Sequence, residues 1–181
     1  GGVVYNQAGM LDRTRGCMKF NGVDACVQVA QATLDRDVPF SVELVMMKTN
    51  DSGGSICGGG AGGWYVRTSS GRSAEFLRSQ VASIGTSPAN TLPPAGVPFH
   101  FGLTYAPGGT KTWVMYVNGV QIATGAADHP LDGNQFRIAC DILSGGANTA
   151  FSSHFMQDVA FYDTVLSGAT FLAHAQAGGL A

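Results

Sequence analysis

The segment that most constrains the fold of this chain is residues 98–125, because it has the pattern of three strands joined by two turns. Large apolar side chains alternate with small or polar ones along residues 99–105, which is the period of a strand with one buried face. Trp113, Met115 and Val117 recur at the same spacing of two residues. The second run ends at Asn118-Gly119. Asn-Gly is a strong hairpin signal because both residues tolerate a positive φ. The segment therefore predicts a meander of antiparallel strands.

The rest of the chain alternates apolar runs with turn residues at the short, regular spacing typical of a β-sandwich. The Gly-rich segment 51–63 is predicted to be a loop, and Ser167 to cap a single short helix over 168–176. The predicted strands lie near residues 17–20, 25–30, 39–48, 63–69, 73–79, 97–105, 111–118, 120–124, 135–140 and 153–163.

Three segments carry a family resemblance. Residues 20–29 read FNGVDACVQV, residues 100–125 read HFGLTYAPGGTKTWVMYVNGVQIATG, and residues 157–167 read QDVAFYDTVLS. In this order they resemble the FDGVDDYVEV, HxALTYD…LxLYVNGxxVATG and DDVRIYDRALS motifs of laminin-G-like, concanavalin-A-like jelly-roll domains. Together with the helix that follows, the matches span roughly residues 17–178, which is nearly the whole chain.

The resemblance implies an all-β fold, an antiparallel two-sheet jelly-roll sandwich with one short C-terminal helix, as a single domain over residues 1–181. Relatives carry a further strand upstream that residues 1–16 do not match. We therefore expect the first family strand to be missing and one sheet edge to be left exposed, and exposed edges need covering or pairing.

Low charge distinguishes the composition, since Asp, Glu, Lys and Arg make up only 12% of the chain, against about 25% in typical soluble proteins. A net charge of −2 gives no electrostatic reason to bind nucleic acid, and no apolar run reaches the roughly 20 residues that cross a bilayer. Val45, Met47, Val114 and Tyr116 make two strands apolar on both faces. We therefore expect a second face that binds a ligand or is covered by protein partners in a homo-oligomer or larger assembly.

The four cysteines, Cys17, Cys26, Cys57 and Cys140, show no CxxC spacing and so no zinc-site pattern. Cys17 and Cys26 flank the turn at residues 21–22, which leaves a disulfide between them as one alternative. The favoured alternative is that the cysteines are buried free thiols acting as small apolar side chains.

Catalysis is not expected, although the resemblance extends to glycoside hydrolases and polysaccharide lyases. Retaining hydrolysis needs two carboxyl groups about 5 Å apart. Glu43 and Glu75 are the only glutamates and lie on different predicted strands. Residues 72–78 and 121–123 match the lyase strands only in part. A catalytic role would require Glu43 or Glu75 to lie in a cleft beside a second ionisable group with a perturbed pKa.

Calcium is the one cofactor that the resemblance leaves open, because many relatives bind it through loop carboxylates. Ala25 and Gln157 stand where the family motifs have Asp. Asp24, Asp141 and Asp158 remain as candidate ligands, but calcium usually takes several oxygens, and these residues are more typical of turns and strand ends.

Carbohydrate recognition commonly uses an aromatic platform with a few convergent polar groups. Trp64, Tyr65 and Tyr116 are the candidate ligand-binding residues, because one of the first two must point away from the core and Tyr116 opposes the apolar face of its strand. The alternative is that all three are ordinary sandwich residues.

These observations predict a non-catalytic recognition or assembly module outside a cell or on a particle. The resemblance implies such settings, because domains of this family occur in secreted glycan-active enzymes, adhesins and phage surface proteins. Among these, the low charge, the missing strand and the two-faced strands favour a virion surface decoration protein of a phage, or an adhesin. The alternative is a carbohydrate-binding module of a secreted glycan-active protein.

Overall fold

The computed structural model describes residues 4–7, 16–29, 38–58, 63–78, 82–127, 136–142, 148–149 and 151–181. The helix α1 spans Gly168–Ala177, and Ser167 caps it as predicted, since its Oγ accepts a hydrogen bond of 3.1 Å from the Thr170 N–H. The strands are β1 (Val4–Gln7), β2 (Cys17–Lys19), β3 (Val27–Val29), β4 (Phe40–Lys48), β5 (Gly54–Gly58), β6 (Trp64–Thr68), β7 (Ala74–Arg78), β8 (Ala82–Thr86), β9 (Phe99–Ala106), β10 (Thr112–Val117), β11 (Val120–Ala126), β12 (Phe136–Ile138), β13 (Asp141–Ile142), β14 (Asn148–Thr149) and β15 (His154–Tyr162).

The strands form two large antiparallel sheets that enclose the hydrophobic core. One sheet has the spatial order β1-β2-β15-β4-β9-β10-β11, and the other has the order β3-β12-β5-β6-β7-β8. The short strands β13 and β14 pair separately. The predicted all-β two-sheet sandwich with one short C-terminal helix is therefore confirmed.

A row of aromatic rings crosses the core between the sheets. Phe40 of the seven-stranded sheet stacks on Trp64 of the six-stranded sheet, with ring centroids 4.7 Å apart. Phe76 packs edge-on against both Trp64 and Trp113. At the other end of the row, Phe161 stacks on Phe40 at 5.6 Å. Trp64 is fully buried, so this row joins the sheets with large apolar side chains.

The predicted hairpin is present, with Val117 opposite Val120 and two turn residues of positive φ between them. Asn118 has a φ of 49° and Gly119 a φ of 76°, as a type I′ turn requires. The turn also packs on α1, because a Cβ at Gly119 would lie against the Leu172 backbone, closer than van der Waals contact allows.

Replacing Gly119 with valine is expected to destabilise the domain by about 2 kcal/mol or more, since a β-branched residue resists this φ and its side chain would push on α1. Urea denaturation measures the loss. Val120→Ala is the control, because Val120 is 65% exposed and should change stability by less than about 1 kcal/mol. Equal stabilities for the two variants would contradict the tight contact between turn and helix.

The Gly-rich segment 51–63 is not wholly a loop, which corrects the sequence prediction. Its residues 54–58 form β5, a central strand that pairs with β6 and β12. A Cβ at Gly54 would lie 2.8 Å from the Ser152 Cα, and one at Gly58 would lie 2.5 Å from the Tyr65 Cβ. Glycine is needed at these two positions because neighbouring chain segments approach too closely for a side chain.

Residues upstream of β2 form a further strand. β1 pairs antiparallel with β2, with Val4 opposite Lys19 and Gln7 opposite Cys17. One edge of β2 is therefore paired by a strand of this chain, and the absence of the first family strand stays a prediction.

The cysteines divide into one disulfide and two thiols outside it. Cys26 is bonded to Cys140 rather than to Cys17, which corrects the alternative drawn from the sequence. Antiparallel pairing of β3 with β12 places Val27 opposite Ile138 and so brings the two cysteines together. Cys17 and Cys57 are buried thiols outside any disulfide, so the favoured alternative is confirmed for these two and wrong for Cys26 and Cys140.

The outer face of the seven-stranded sheet is partly covered by α1. Phe171 of the helix is fully buried; its ring lies 4.9 Å from the Tyr116 ring and packs on Gly102, where any side chain would collide with it. The second apolar face predicted for β10 is thus covered within this chain at Tyr116. Val114 and Met47 are half-buried.

Candidate functional site

A pocket of about 600 Å³ opens on this outer face, beside the C-terminal end of α1. Its lining comes from four elements: Glu43 and Val45 of β4, His100 of β9, Gln157, Asp158 and Tyr162 of β15, and His174 with residues 177–179 at the end of α1. The volume lies within the range usual for small-molecule sites.

Strand alternation aims Glu43 into the pocket. Val42 and Leu44 point into the core, so Glu43 between them points out of the opposite face of β4. Its neighbours across the sheet are Gly102 and Ala160, which are small. The space above them is where the helix and the pocket lie.

Three hydrogen-bond donors converge on the buried Glu43 carboxylate. His100 Nε2 lies 3.0 Å from Oε2, His174 Nδ1 lies 2.9 Å from Oε2, and the Tyr162 hydroxyl lies 2.5 Å from Oε1. A carboxylate only accepts, so each of these groups donates to it. Glu43 thereby ties α1, β9 and β15 together.

These contacts set the protonation state of Glu43. Burial alone would raise the pKa of its carboxyl, but the hydrogen bonds from His100, Tyr162 and His174 outweigh it and lower the pKa from 4.5 to about 2. The same bond to Glu43 is the main reason that the pKa of Tyr162 rises to about 12. Glu43 stays ionised at neutral pH and holds no proton to deliver as a general acid.

His100 is positioned by the hairpin turn. Its backbone N–H donates to Asn118 Oδ1 at 2.8 Å, and its carbonyl accepts from the Asn118 N–H at 2.9 Å. Its ring lies 5.9 Å from the ring of Phe171. Nδ1 of His100 is buried without a hydrogen-bond partner.

A bulge in β15 places Asp158 at the pocket. The register with β4 shifts between Gln157 and Ala160, and Asp158 has a φ of 50°. Gln157 Nε2 donates to Asp158 Oδ2 at 3.1 Å. Bulges of this kind re-aim side chains and occur frequently beside functional sites.

The three aromatic candidates do not form a platform in this structure. Trp64 points into the core with no exposed surface, which corrects its assignment as a ligand contact. Tyr65 faces the opposite side of β6 and is 8% exposed, and Tyr116 lies half-buried under Phe171. Neither tyrosine lines the pocket, so their roles in ligand binding stay predictions.

The three calcium candidates lie in different elements. Asp24 accepts from Asn21 Nδ2 at 2.8 Å within a turn, as expected of a turn-bracing residue. Asp141 belongs to β13, and Asp158 lines the pocket. Within the part of the chain that the structure describes, no three His, Cys, Asp or Glu side chains are grouped to hold a metal ion. Calcium binding stays an untested expectation.

Sequence reasoning did not assemble this site. It named Glu43 only as a condition for catalysis, and the cleft with ionisable neighbours that it required is present. No functional role was predicted for His100, Tyr162 or His174. A signal was available in β4, where Glu43 is the one acidic residue and lies in the middle of a mostly apolar strand, FSVELVMMK.

Residues 21–170 match the laminin G family model described as the concanavalin A-like lectin/glucanases superfamily. No curated protein sequence matches the chain at a significant level.

Solved structures share the fold at low sequence identity. A heptameric SAP-like pentraxin from Limulus polyphemus has a TM-score of 0.67 and 14% identity, over 87% of this chain and 80% of its own. Domain 4 of an extracellular arabinanase from Geobacillus stearothermophilus, solved with arabinotriose, has a TM-score of 0.71 and 12% identity, over 97% and 82%. The receptor-binding domain of botulinum neurotoxin type G has a TM-score of 0.67 and 13% identity, over 97% of this chain but only 44% of its own.

Proposed function

The chain belongs to the concanavalin A-like lectin/glucanases superfamily, and from this premise we propose that it is a non-catalytic recognition module that binds a saccharide in the Glu43 pocket. The observation that carries the proposal is the pocket itself, in which a buried carboxylate fixes two imidazoles and a tyrosine around a space of about 600 Å³. Convergent polar groups beside an aromatic ring are a common means of orienting a saccharide.

Binding is favoured over catalysis by the state of Glu43. A glycoside hydrolase needs a general acid whose pKa is raised. Glu43 has the opposite property, because three donors lower its pKa to about 2. The same arrangement suits recognition, since it locks the side chains of the pocket in place before the ligand arrives.

One of the fold neighbours supports a saccharide ligand: the arabinanase domain, which was solved in complex with arabinotriose. Another, the toxin's receptor-binding domain, supports a role in recognition. We place the module outside the cell, because the Cys26–Cys140 disulfide is typical of oxidising compartments. Of the helical residues that the structure describes, none belongs to a segment long and apolar enough to cross a membrane.

Titration of the protein with arabino-, gluco- and galacto-oligosaccharides, followed calorimetrically, tests the proposal. His174→Ala should weaken binding by about tenfold or more. The variant loses the charge-assisted hydrogen bond from His174 to the Glu43 carboxylate, which orients the polar groups of the pocket. Gln176→Ala is the matched control on the same helix, because Gln176 is exposed and lies outside the pocket. Equal affinities for the two variants, or no binding by the wild type, would overturn the proposal.

Assembly on a virion surface or as an adhesin is a second candidate, supported by the low charge and by exposed apolar side chains. Val120 is 65% exposed and Leu172 is 37% exposed, and both lie where the β10–β11 turn meets α1. The two roles are compatible, and the mass of the particle in solution compared with 18.7 kDa distinguishes an oligomer from a monomer.

A further inference from the structure

A second pocket, the Arg67 pocket, has a volume of about 400 Å³ and is lined by Arg67 of β6 and Glu75 of β7. The chain neighbours of these two residues, Val66 and Phe76, belong to the core cluster. Strand alternation therefore points Arg67 and Glu75 out of the outer face of the six-stranded sheet. The Glu43 pocket opens on the outer face of the seven-stranded sheet, so the two pockets lie on opposite faces of the domain.

Arg67 and Glu75 face each other across neighbouring strands and form an ion pair. They are register partners, and Arg67 Nε donates to Glu75 Oε2 at 2.6 Å. The Arg67 side chain is 41% exposed and the Glu75 side chain is 19% exposed. Ion pairs that reach solvent contribute little to stability. This pair therefore fixes the positions of two charged groups in the pocket more than it stabilises the fold.

The ion pair keeps hydrogen-bonding capacity on both partners. A guanidinium has five N–H donors, of which Nε uses one here, and a carboxylate has two acceptor oxygens, of which Oε2 accepts that bond. Among the described contacts, neither side chain has a second hydrogen-bond or ion-pair partner. The terminal nitrogens of Arg67 and Oε1 of Glu75 are therefore available to a ligand.

The lining of the Arg67 pocket is polar and has no net charge. Arg67 and Glu75 are the charged groups among its described lining residues, and their charges cancel. Residues 68–70 add hydroxyl side chains, and the glycines at 53 and 54 contribute backbone only. Glu75 repels an anion and Arg67 repels a cation, so the pocket favours a neutral ligand. A hydroxyl group both donates and accepts, and it therefore matches the remaining donors and the remaining acceptor together.

We propose that the Arg67 pocket is a second saccharide-binding site, in which hydroxyl groups of a neutral sugar accept from the Arg67 guanidinium and donate to the Glu75 carboxylate. The inference rests on the proposed function for the class of ligand and adds a site on the opposite face of the domain. Hydrogen bonds to charged groups are stronger than those between neutral groups, and the ion pair holds both groups in place before the sugar arrives. A module with two such sites holds two saccharide chains at once and cross-links them.

Two-dimensional NMR with neutral arabino-, gluco- and galacto-oligosaccharides tests the inference, because backbone amide shifts follow each site separately. Amides of residues 67–75 report on the Arg67 pocket, and amides of residues 174–179 report on the Glu43 pocket. Saturable shifts are expected in both groups. Arg67→Ala should weaken binding in the Arg67 pocket by about tenfold or more, since the hydrogen bonds from the guanidinium are lost, and should leave the Glu43 pocket unchanged.

Two further variants complete the test. Glu75→Gln keeps the shape of the side chain and removes its charge, so it should also weaken binding in the Arg67 pocket, and it replaces Arg67→Ala if that variant does not fold. Lys19→Ala is the control, because it removes the same positive charge from an exposed residue of the seven-stranded sheet that lies outside both pocket linings. It should change neither site.

The outcomes separate the inference from the proposed function. Shifts confined to residues 174–179 overturn the inference and leave binding in the Glu43 pocket standing. Equal effects of Arg67→Ala and Lys19→Ala on the shifts of residues 67–75 also overturn it. Shifts confined to residues 67–75, and abolished by Arg67→Ala, support the inference and overturn the Glu43 pocket as a saccharide site. No saturable shift with any of the sugars overturns both.

Discussion

Trp64→Ala is expected to lower the free energy of unfolding by about 3–5 kcal/mol, the usual cost of truncating a large buried aromatic side chain. Trp64 is fully buried, stacks on Phe40 at 4.7 Å and meets Phe76 edge-on at 5.9 Å. Its removal leaves a cavity between the two sheets that the packed core cannot fill by relaxing.

Urea denaturation measures this effect, with Phe161→Ala as the matched control. Phe161 is the end of the same aromatic row but is 36% exposed, so its truncation should cost clearly less. A Trp64→Ala variant that keeps wild-type stability and loses saccharide binding would instead restore Trp64 as a ligand platform and contradict the core placement.

Acid is expected to destabilise the domain in two steps, of which the first depends on His154. Its side chain is 1% exposed, and its Nδ1–H donates to the Ser153 carbonyl at 2.7 Å. Burial, assisted by the positive charge of Lys48, lowers the pKa of His154 from 6.5 to about 4, although the Ser153 contact works in the other direction. The folded state thus prefers the neutral ring. The corresponding stability is present above pH 6.5 and is lost as the pH falls from 6.5 to about 4, up to about 3 kcal/mol.

The second step depends on Glu43, whose pKa falls from 4.5 in the unfolded chain to about 2 in the folded protein. A lowered carboxyl pKa stabilises the folded state above pH 4.5. That stability is lost as the pH falls from 4.5 to about 2, again up to about 3 kcal/mol. The three donors then no longer face a carboxylate, and the hydrogen bond from His174 of α1 to Glu43 of the sheet is weakened.

Unfolding free energies of the wild type, His154→Gln and Glu43→Gln, measured from pH 8 to pH 3, test both steps. We expect His154→Gln to flatten the curve between pH 6.5 and 4, and Glu43→Gln to flatten it below pH 4.5. Both variants also lose stability at pH 7, so the quantity to compare is the slope of the unfolding free energy against pH. A variant curve parallel to the wild-type curve would show that its residue does not carry the pH dependence.

Much of the fold follows from local patterns. Alternation along residues 99–105 predicted β9, and the two-residue spacing of Trp113, Met115 and Val117 predicted β10. The Asn-Gly turn predicted the hairpin with its positive φ values. Ser167 predicted the start of α1. These features depend only on residues close together in the chain, so they can be predicted from local sequence patterns.

The inward direction of Trp64 and the strand β5 were missed because, in each case, two different structures fit the local sequence pattern. In Trp64-Tyr65 either residue suits the core, and only the packing of Phe40 decided that Trp64 points inward. Glycines typically indicate a loop, yet Gly54 and Gly58 lie in a central strand because other segments press against them. A strand with apolar residues on both sides does not show which face is buried.

Local sequence patterns predicted many of the strands, the hairpin turn and the capped helix, because each of these depends on residues a few positions apart. The pocket and the disulfide became visible only in the folded structure. His100, Tyr162 and His174 are 57, 119 and 131 positions from Glu43, and Cys26 and Cys140 are 114 positions apart. No local period encodes such distances. The order of strands in the sheets and the docking of Phe171 on Gly102 bring these side chains together, and the lowered pKa of Glu43 exists only once they meet.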